Sequence, residues 1–89
     1  PGADKTSILF TVADKPGSLS SVLACFSGNG VNLRKLESRP MQGESWKYVF
    51  FADLECDIYD PAYTGILDQV AEHCLYLRVL GSYPSHFLE

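Results

Sequence analysis

No stretch of this chain approaches the run of about 18 apolar residues that a membrane-crossing helix needs, and its seven Lys and Arg are scattered against eleven Asp and Glu. The first shortage argues against a membrane partner. The second leaves a formal net charge of −4, which works against nucleic acid, because sequence-independent affinity for phosphate backbones comes from Lys and Arg. Cysteine is sparse as well. Cys25, Cys56 and Cys74 are odd in number, widely spaced and free of any Cys-x-x-Cys pair, which points away from a disulfide framework and from a zinc site. Free thiols imply a reducing cytosol. His73 beside Cys74 is the nearest approach to a ligand pair, but adjacent helix positions point in different directions, so no metal and no cofactor is expected. Nor are a nucleophile, a base and an orienting group found together, so no catalytic residue is assigned and the 89-residue chain is expected to be non-catalytic. The chain opens on Pro1-Gly2 rather than Met, with neither the basic start nor the apolar segment of a secretory signal. It therefore reads as a piece of something longer, with residues 1–4 as a linker remnant, one domain over 5–83 and an aperiodic tail over 84–89.

What is present is an ordinary soluble composition, 46% hydrophobic and 20% charged, at a length that buries one modest core. Residues 5–13 alternate, with Ile8, Phe10 and Val12 on one side, which is the period of a strand. Asp14-Lys15-Pro16-Gly17 is a turn by composition and leads to Ser18 and Ser20, hydroxyls suited to capping a helix start. Leu19, Val22, Leu23 and Phe26 then recur at the spacing of one buried helical face, and Gly28-Asn29-Gly30 supplies the exit.

The most unusual segment follows. Asn32-Leu33-Arg34-Lys35-Leu36-Glu37-Ser38-Arg39-Pro40 places charges and a proline in what otherwise reads as a strand over 31–39. Strict alternation puts Leu36 on the face opposite Val31 and Leu33, and a bulge near Arg34 or Lys35 removes the conflict. Pro40 is expected to end ladder pairing, with a hairpin connection over 40–45. A third strand over 46–55 is apolar or aromatic on both faces, so something beyond one helical layer has to cover it. Asp60-Pro61 starts a second helix running to about Cys74, with Tyr63, Ile66, Leu67, Val70 and Cys74 as its buried stripe. A fourth strand over 75–82 faces Leu75, Leu77 and Val79 inward.

The order strand, helix, strand, strand, helix, strand, with right-handed crossovers, predicts an α+β class: a ferredoxin-like βαββαβ fold whose four-stranded antiparallel sheet runs in the order 4-1-3-2, with both helices on one face. That topology serves several functions. An RNA-recognition module would use aromatics such as Trp46, Tyr48 and Phe50, but the basic-glycine-aromatic signature and the positive charge are missing. A metal carrier or acyl-phosphate hydrolase would need a Cys-x-x-Cys or an arginine-bearing anion loop after strand one, and residues 14–18 offer neither. A small-molecule sensor that pairs side by side is the third class.

Asp14-Lys15-Pro16-Gly17-Ser18-Leu19 and Glu37-Ser38-Arg39-Pro40, together with Lys5-Thr6-Ser7, Asn32-Leu33, Tyr48-Val49-Phe50-Phe51 and Leu80-Gly81-Ser82-Tyr83-Pro84, resemble the signature of ACT domains. More narrowly, they resemble the regulatory domain of prephenate dehydratase. The one departure is Gly17-Ser18-Leu19 where that family usually has Gly-Ala-Leu, which adds a hydroxyl at the pocket floor. The resemblance implies a domain that follows a catalytic domain, binds L-phenylalanine as an effector and mediates feedback inhibition of prephenate dehydration to phenylpyruvate. It leaves open a chorismate mutase segment in the parent chain, and a homodimer or a higher assembly. The regulatory domain of an aromatic amino acid hydroxylase, or a ligand-free dimerisation module, are the alternatives.

The residues supply candidates for each part of an amino acid. Gly17 lets the backbone pass close to a ligand, and the N–H groups of Ser18 and Leu19 at a helix start suit its carboxylate. Asn32 offers an acceptor for the ammonium, with backbone carbonyls around Leu33 and Leu36 to complete it, and Leu19 and Leu33 wall the ring. By resemblance the pocket lies between two domains, with residues 17–19 from one copy and 32–38 from the other. Glu37, Ser38, Arg39 and Pro40 then frame the shared pocket or interface. The plainer reading of Glu37 and Arg39 is a pair of exposed charges worth at most about 1 kcal/mol.

Overall fold

The computed structural model describes residues 2–41 and 43–84, with residues 44–47 followed only along their backbone. Expectations for the tail over 85–89, for Gln42 in the hairpin and for the Trp46 side chain lie outside the described residues. Four strands, β1 (Lys5–Thr11), β2 (Leu33–Met41), β3 (Glu44–Leu54) and β4 (Tyr76–Tyr83), form one sheet. Their order, β2-β3-β1-β4, is antiparallel throughout and is the ferredoxin-like order the element pattern predicts. Helix α1 (Ser18–Gly28) connects β1 to β2, and helix α2 (Ile66–Ala71) precedes β4.

Alternation along β1 sets the core. Thr6, Ile8 and Phe10 are fully buried, Ala52 and Leu54 join them from β3, and Phe10 stacks on Phe50 with ring centroids 5.4 Å apart. From α1 the buried row is Ser18, Val22 and Phe26, at the i, i+4 spacing of a single helical face. Leu19 and Cys25 pack beside that row. Leu23, expected on the buried face, is only half-buried, because it lies about 100° round the helix from Val22.

The second helix is shorter than its apolar stripe implies. A 3-10 turn over Pro61–Tyr63 is capped by Asp60, whose carboxylate accepts the Ala62 N–H at 2.9 Å. The chain then breaks at Gly65, where φ is 89°, and α2 begins only at Ile66. Ile66 and Val70 are buried, with Tyr63, Leu67 and Cys74 packed against the same core. The stripe is real, but two segments present it.

Two bulges shape the sheet. Leu33 opposes Leu54 while Lys35 opposes Asp53, so Arg34 is the extra residue, and Leu33 and Leu36 fall on the helix side together, as the sequence requires. On the other edge, Ser7 opposes Gly81 and Ile8 opposes Val79, leaving Leu80 as the extra residue and half exposed at 49%. Contrary to expectation, Pro40 does not end the ladder. It opposes Tyr48, and β2 runs on to Met41 after a second register shift, which proline tolerates because β2 is an edge strand. Leu77 and Val79 pack inward, but Leu75 is 62% exposed. It precedes Tyr76, which already faces the last residue of β1, Thr11, so no sheet remains for it to cover.

Candidate functional site

The turn between β1 and α1 is held by backbone geometry. Gly17 sits at φ 85°, a left-handed conformation that costs other residues roughly 1–2 kcal/mol, and it is the N-cap of α1 without any side-chain cap. Ser18, read from sequence as a cap, is instead the first helical residue, and its hydroxyl has no hydrogen-bond partner among the described residues. Its N–H is not free either, since it donates to the Lys15 carbonyl at 3.3 Å. The Ser21 N–H returns to the Gly17 carbonyl at 2.9 Å. Between them, the N–H groups of Leu19 and Ser20 have no backbone acceptor among the described residues, as expected for the first turn of a helix. Of the two N–H groups read from the sequence, the one on Ser18 is engaged by Lys15 and the one on Leu19 is left open, as is that of Ser20.

Two clefts meet at this turn. One, of about 310 Å³, lies at the end of the sheet and is lined by Lys15, Gly17, Ser18, Glu72, His73 and Leu75 among others. The second, of about 170 Å³, is lined by Val12, Ser18, Leu19, Tyr48 and Phe50, so Leu19 walls a cleft with aromatic neighbours, and Leu33 is not among its lining residues. A third hollow, of about 290 Å³, lies on the sheet face away from the helices, among Ser7, Lys35, Glu37, Arg39, Phe51 and Asp53. Tyr48 and Phe50 on one face and Phe51 on the other account for the two-sided aromatic character of β3.

The second group of site residues lies elsewhere in the same chain. Asn32 is exposed, and its carbonyl accepts the Glu55 N–H at 2.9 Å. It therefore sits beside the end of β3, whereas Gly17 follows the C-terminal end of β1. Thr6 opposes Leu54 and Phe10 opposes Phe50, so these two levels are separated by about 13 Å along the strands. Leu36 is 39% exposed, and Leu33 packs partly on the core. Glu37 lies between two cations, with Lys35 Nζ and Arg39 Nη2 each 3.4 Å from one of its oxygens. Ser38, Arg39 and Pro40 are exposed. Because β2 is an edge strand, alternate backbone groups along it point away from the sheet. Gly17 and Asn32 do not meet in any of the three clefts described for a single copy.

Motif residues from the two ends of the chain do meet. Thr6 Oγ1 bonds the Cys56 carbonyl, the Ile58 N–H and Ser82 Oγ. On the other sheet face, Ser7 Oγ donates to Asp53 at 2.7 Å and contacts the Tyr83 hydroxyl at 2.9 Å. Thr6 was missed as a core residue although it shares the parity of Ile8 and Phe10. The three thiols are free, and burial is the main cause that pushes each of them up, Cys74 to about 11. Thiols held in that direction are poor nucleophiles at neutral pH. Among the described residues no three His, Cys, Asp or Glu side chains are grouped to hold a metal ion, and no helix is long and apolar enough to cross a membrane.

Comparison with known proteins places these features in context. A model of the ACT domain family matches residues 6–62. The bifunctional chorismate mutase/prephenate dehydratase of Aquifex aeolicus is 47% identical over 88 residues, covering 99% of this chain and 24% of that protein. The crystal structure of prephenate dehydratase from Arthrobacter aurescens in complex with L-Phe superposes with a TM-score of 0.80 at 34% identity, over 94% of this chain and 28% of the other. GqqA, described as a novel type of quorum quenching acylase, gives a TM-score of 0.83 at 32% identity, over 94% and 31%. The chain spans about a quarter of the length of the curated relatives it matches.

Proposed function

The chain belongs to the ACT domain family, and from that premise we propose that it is the amino-acid-sensing part of a longer cytoplasmic enzyme, a prephenate dehydratase, and that its effector is L-phenylalanine. The observation that carries this reading is the start of α1. There Gly17 holds a left-handed turn, and the next two N–H groups beyond Ser18 are left without backbone acceptors beside a cleft walled by Leu19, Tyr48 and Phe50. Such a turn suits a carboxylate, and the cleft suits an aromatic side chain. That one structural neighbour is a complex with L-Phe supports the choice of effector. The relatives favour a dehydratase parent over an aromatic amino acid hydroxylase. The likeness to GqqA bears on the parent's chemistry and leaves the sensing role of this domain unchanged.

In this reading Gly17, Leu19 and Ser20 of one copy hold the carboxylate and ring, while Asn32 and the edge carbonyls near Leu33 and Leu36 of a second copy receive the ammonium. Glu37, Ser38, Arg39 and Pro40 frame the joint between copies. An effector bridging two copies favours one arrangement of the assembly only by its differential affinity for it, and that preference is what reaches the catalytic domains. Calorimetric titration with phenylalanine, tyrosine and tryptophan tests the proposal. Binding of phenylalanine in preference to the other two is the expected result, and no binding by a chain confirmed to be dimeric sinks it.

A further inference from the structure

Ser18 Oγ is a buried side-chain oxygen with no hydrogen-bond partner among the described residues. Its residue is only 8% exposed, so bulk water does not serve it, and an unsatisfied buried hydroxyl is destabilising. Serine here is therefore a poor choice for the free chain, where alanine would fill the same space without a polar atom. Two other serines of α1 are satisfied: Ser21 Oγ donates to the Gly17 carbonyl at 2.9 Å and, at the far end of the helix, Ser27 Oγ to the Ala24 carbonyl at 3.2 Å. Ser18 stands apart in position as well. It is the first residue of an eleven-residue helix, it precedes the two N–H groups that lack backbone acceptors, and it lines both clefts at the turn.

We infer that the Ser18 hydroxyl is a direct donor to the effector's carboxylate, completing with the Leu19 and Ser20 N–H groups a three-donor anion seat that the free chain leaves unfilled. This rests on the effector reading above and adds a side-chain contact to a site otherwise built from backbone. Serine has one heavy-atom side-chain torsion with three staggered wells, so a change of rotamer is enough to re-aim Oγ. The hydroxyl also makes the seat selective. A carboxylate accepts from all three donors, whereas a carboxamide or an alcohol in its place offers a weaker, uncharged acceptor.

The test compares the 89-residue chain with its Ser18→Ala and Ser18→Thr variants, titrated calorimetrically with L-phenylalanine and with L-phenylalaninamide. Ser18→Ala is expected to melt higher than the parent without ligand, because the orphan oxygen is gone. It should nevertheless bind phenylalanine roughly tenfold or more weakly, the loss typical of a hydrogen bond to a charged group, and bind the amide with little change. Ser18→Thr, which keeps the hydroxyl, should recover much of the preference for the acid. Equal phenylalanine affinity in parent and Ser18→Ala overturns the inference while leaving the effector reading intact. A parent chain that binds none of the aromatic amino acids removes that reading and the inference together.

Discussion

Thr6 and Ser82 meet hydroxyl to hydroxyl at 2.8 Å, seventy-six residues apart in sequence, and the direction of that bond follows from the rest of Thr6's contacts. A hydroxyl has one hydrogen to give. Thr6 gives it to the Cys56 carbonyl at 2.7 Å while accepting the Ile58 N–H at 3.0 Å, so Ser82 is the donor between the two. One oxygen thereby fixes β1, the segment after β3 and β4 to one another. Thr6→Val keeps the volume and leaves a buried N–H and a buried carbonyl without that partner, and is expected to cost about 2 kcal/mol in urea unfolding. Ser82→Ala, which removes only the outer bond, should cost less than half as much.

Gly17 and Gly65 stand at matching positive φ, 85° and 89°, and, adjacent residues aside, no atom of the described residues lies within 4 Å of where a Cβ would sit at either. Alanine at either position is therefore opposed by backbone conformation alone, at about 1–2 kcal/mol each in thermal or urea unfolding. Their effects on ligand should diverge. Gly17→Ala disturbs the turn that seats the carboxylate and should abolish stabilisation by phenylalanine, whereas Gly65→Ala should lower the melting temperature and leave the ligand-induced shift unchanged.

The thiols give the domain a dependence on alkaline pH. Burial raises Cys74 in the folded chain to about 11 from an ordinary value of 9.0, so the folded state holds that proton more tightly than the unfolded state does. The stabilisation is complete below about pH 9 and is lost as pH rises toward about 11. Urea midpoints measured across this window should fall for the parent and fall less for Cys74→Ala. At neutral pH, alkylation of all three cysteines should be slow in the folded chain and fast in urea.

Much of this was legible from the residues. The conflict between Leu33 and Leu36 under strict alternation demanded an extra residue, and Arg34 is that residue. The element order alone fixed the sheet order, because short right-handed connections leave few other arrangements. The break in the second helix was less visible, since apolar positions run straight through Thr64-Gly65 and the periodicity of a stripe does not register a change of backbone. Periodicity likewise could not show that Pro40 stays within an edge strand. The site was read from motif residues, and those could not show that Ser18 spends its N–H on Lys15. Sequence also could not reveal that the Ser18 hydroxyl lacks a partner among the described residues, which depends on how closely the turn packs.

The separation of Gly17 and Asn32 at opposite ends of the sheet makes the shared pocket the central claim. It is tested most directly by mixing two binding-deficient variants, Gly17→Ala and Asn32→Ala, and titrating the mixture with phenylalanine. Each homodimer has a damaged half in both of its sites, whereas each mixed dimer contains one site built from two intact halves. Random exchange of copies should restore binding to roughly a quarter of all sites, as two-fold symmetry requires. Failure to recover any binding, with both variants dimeric and exchanging, contradicts the account, as does full binding by either variant alone.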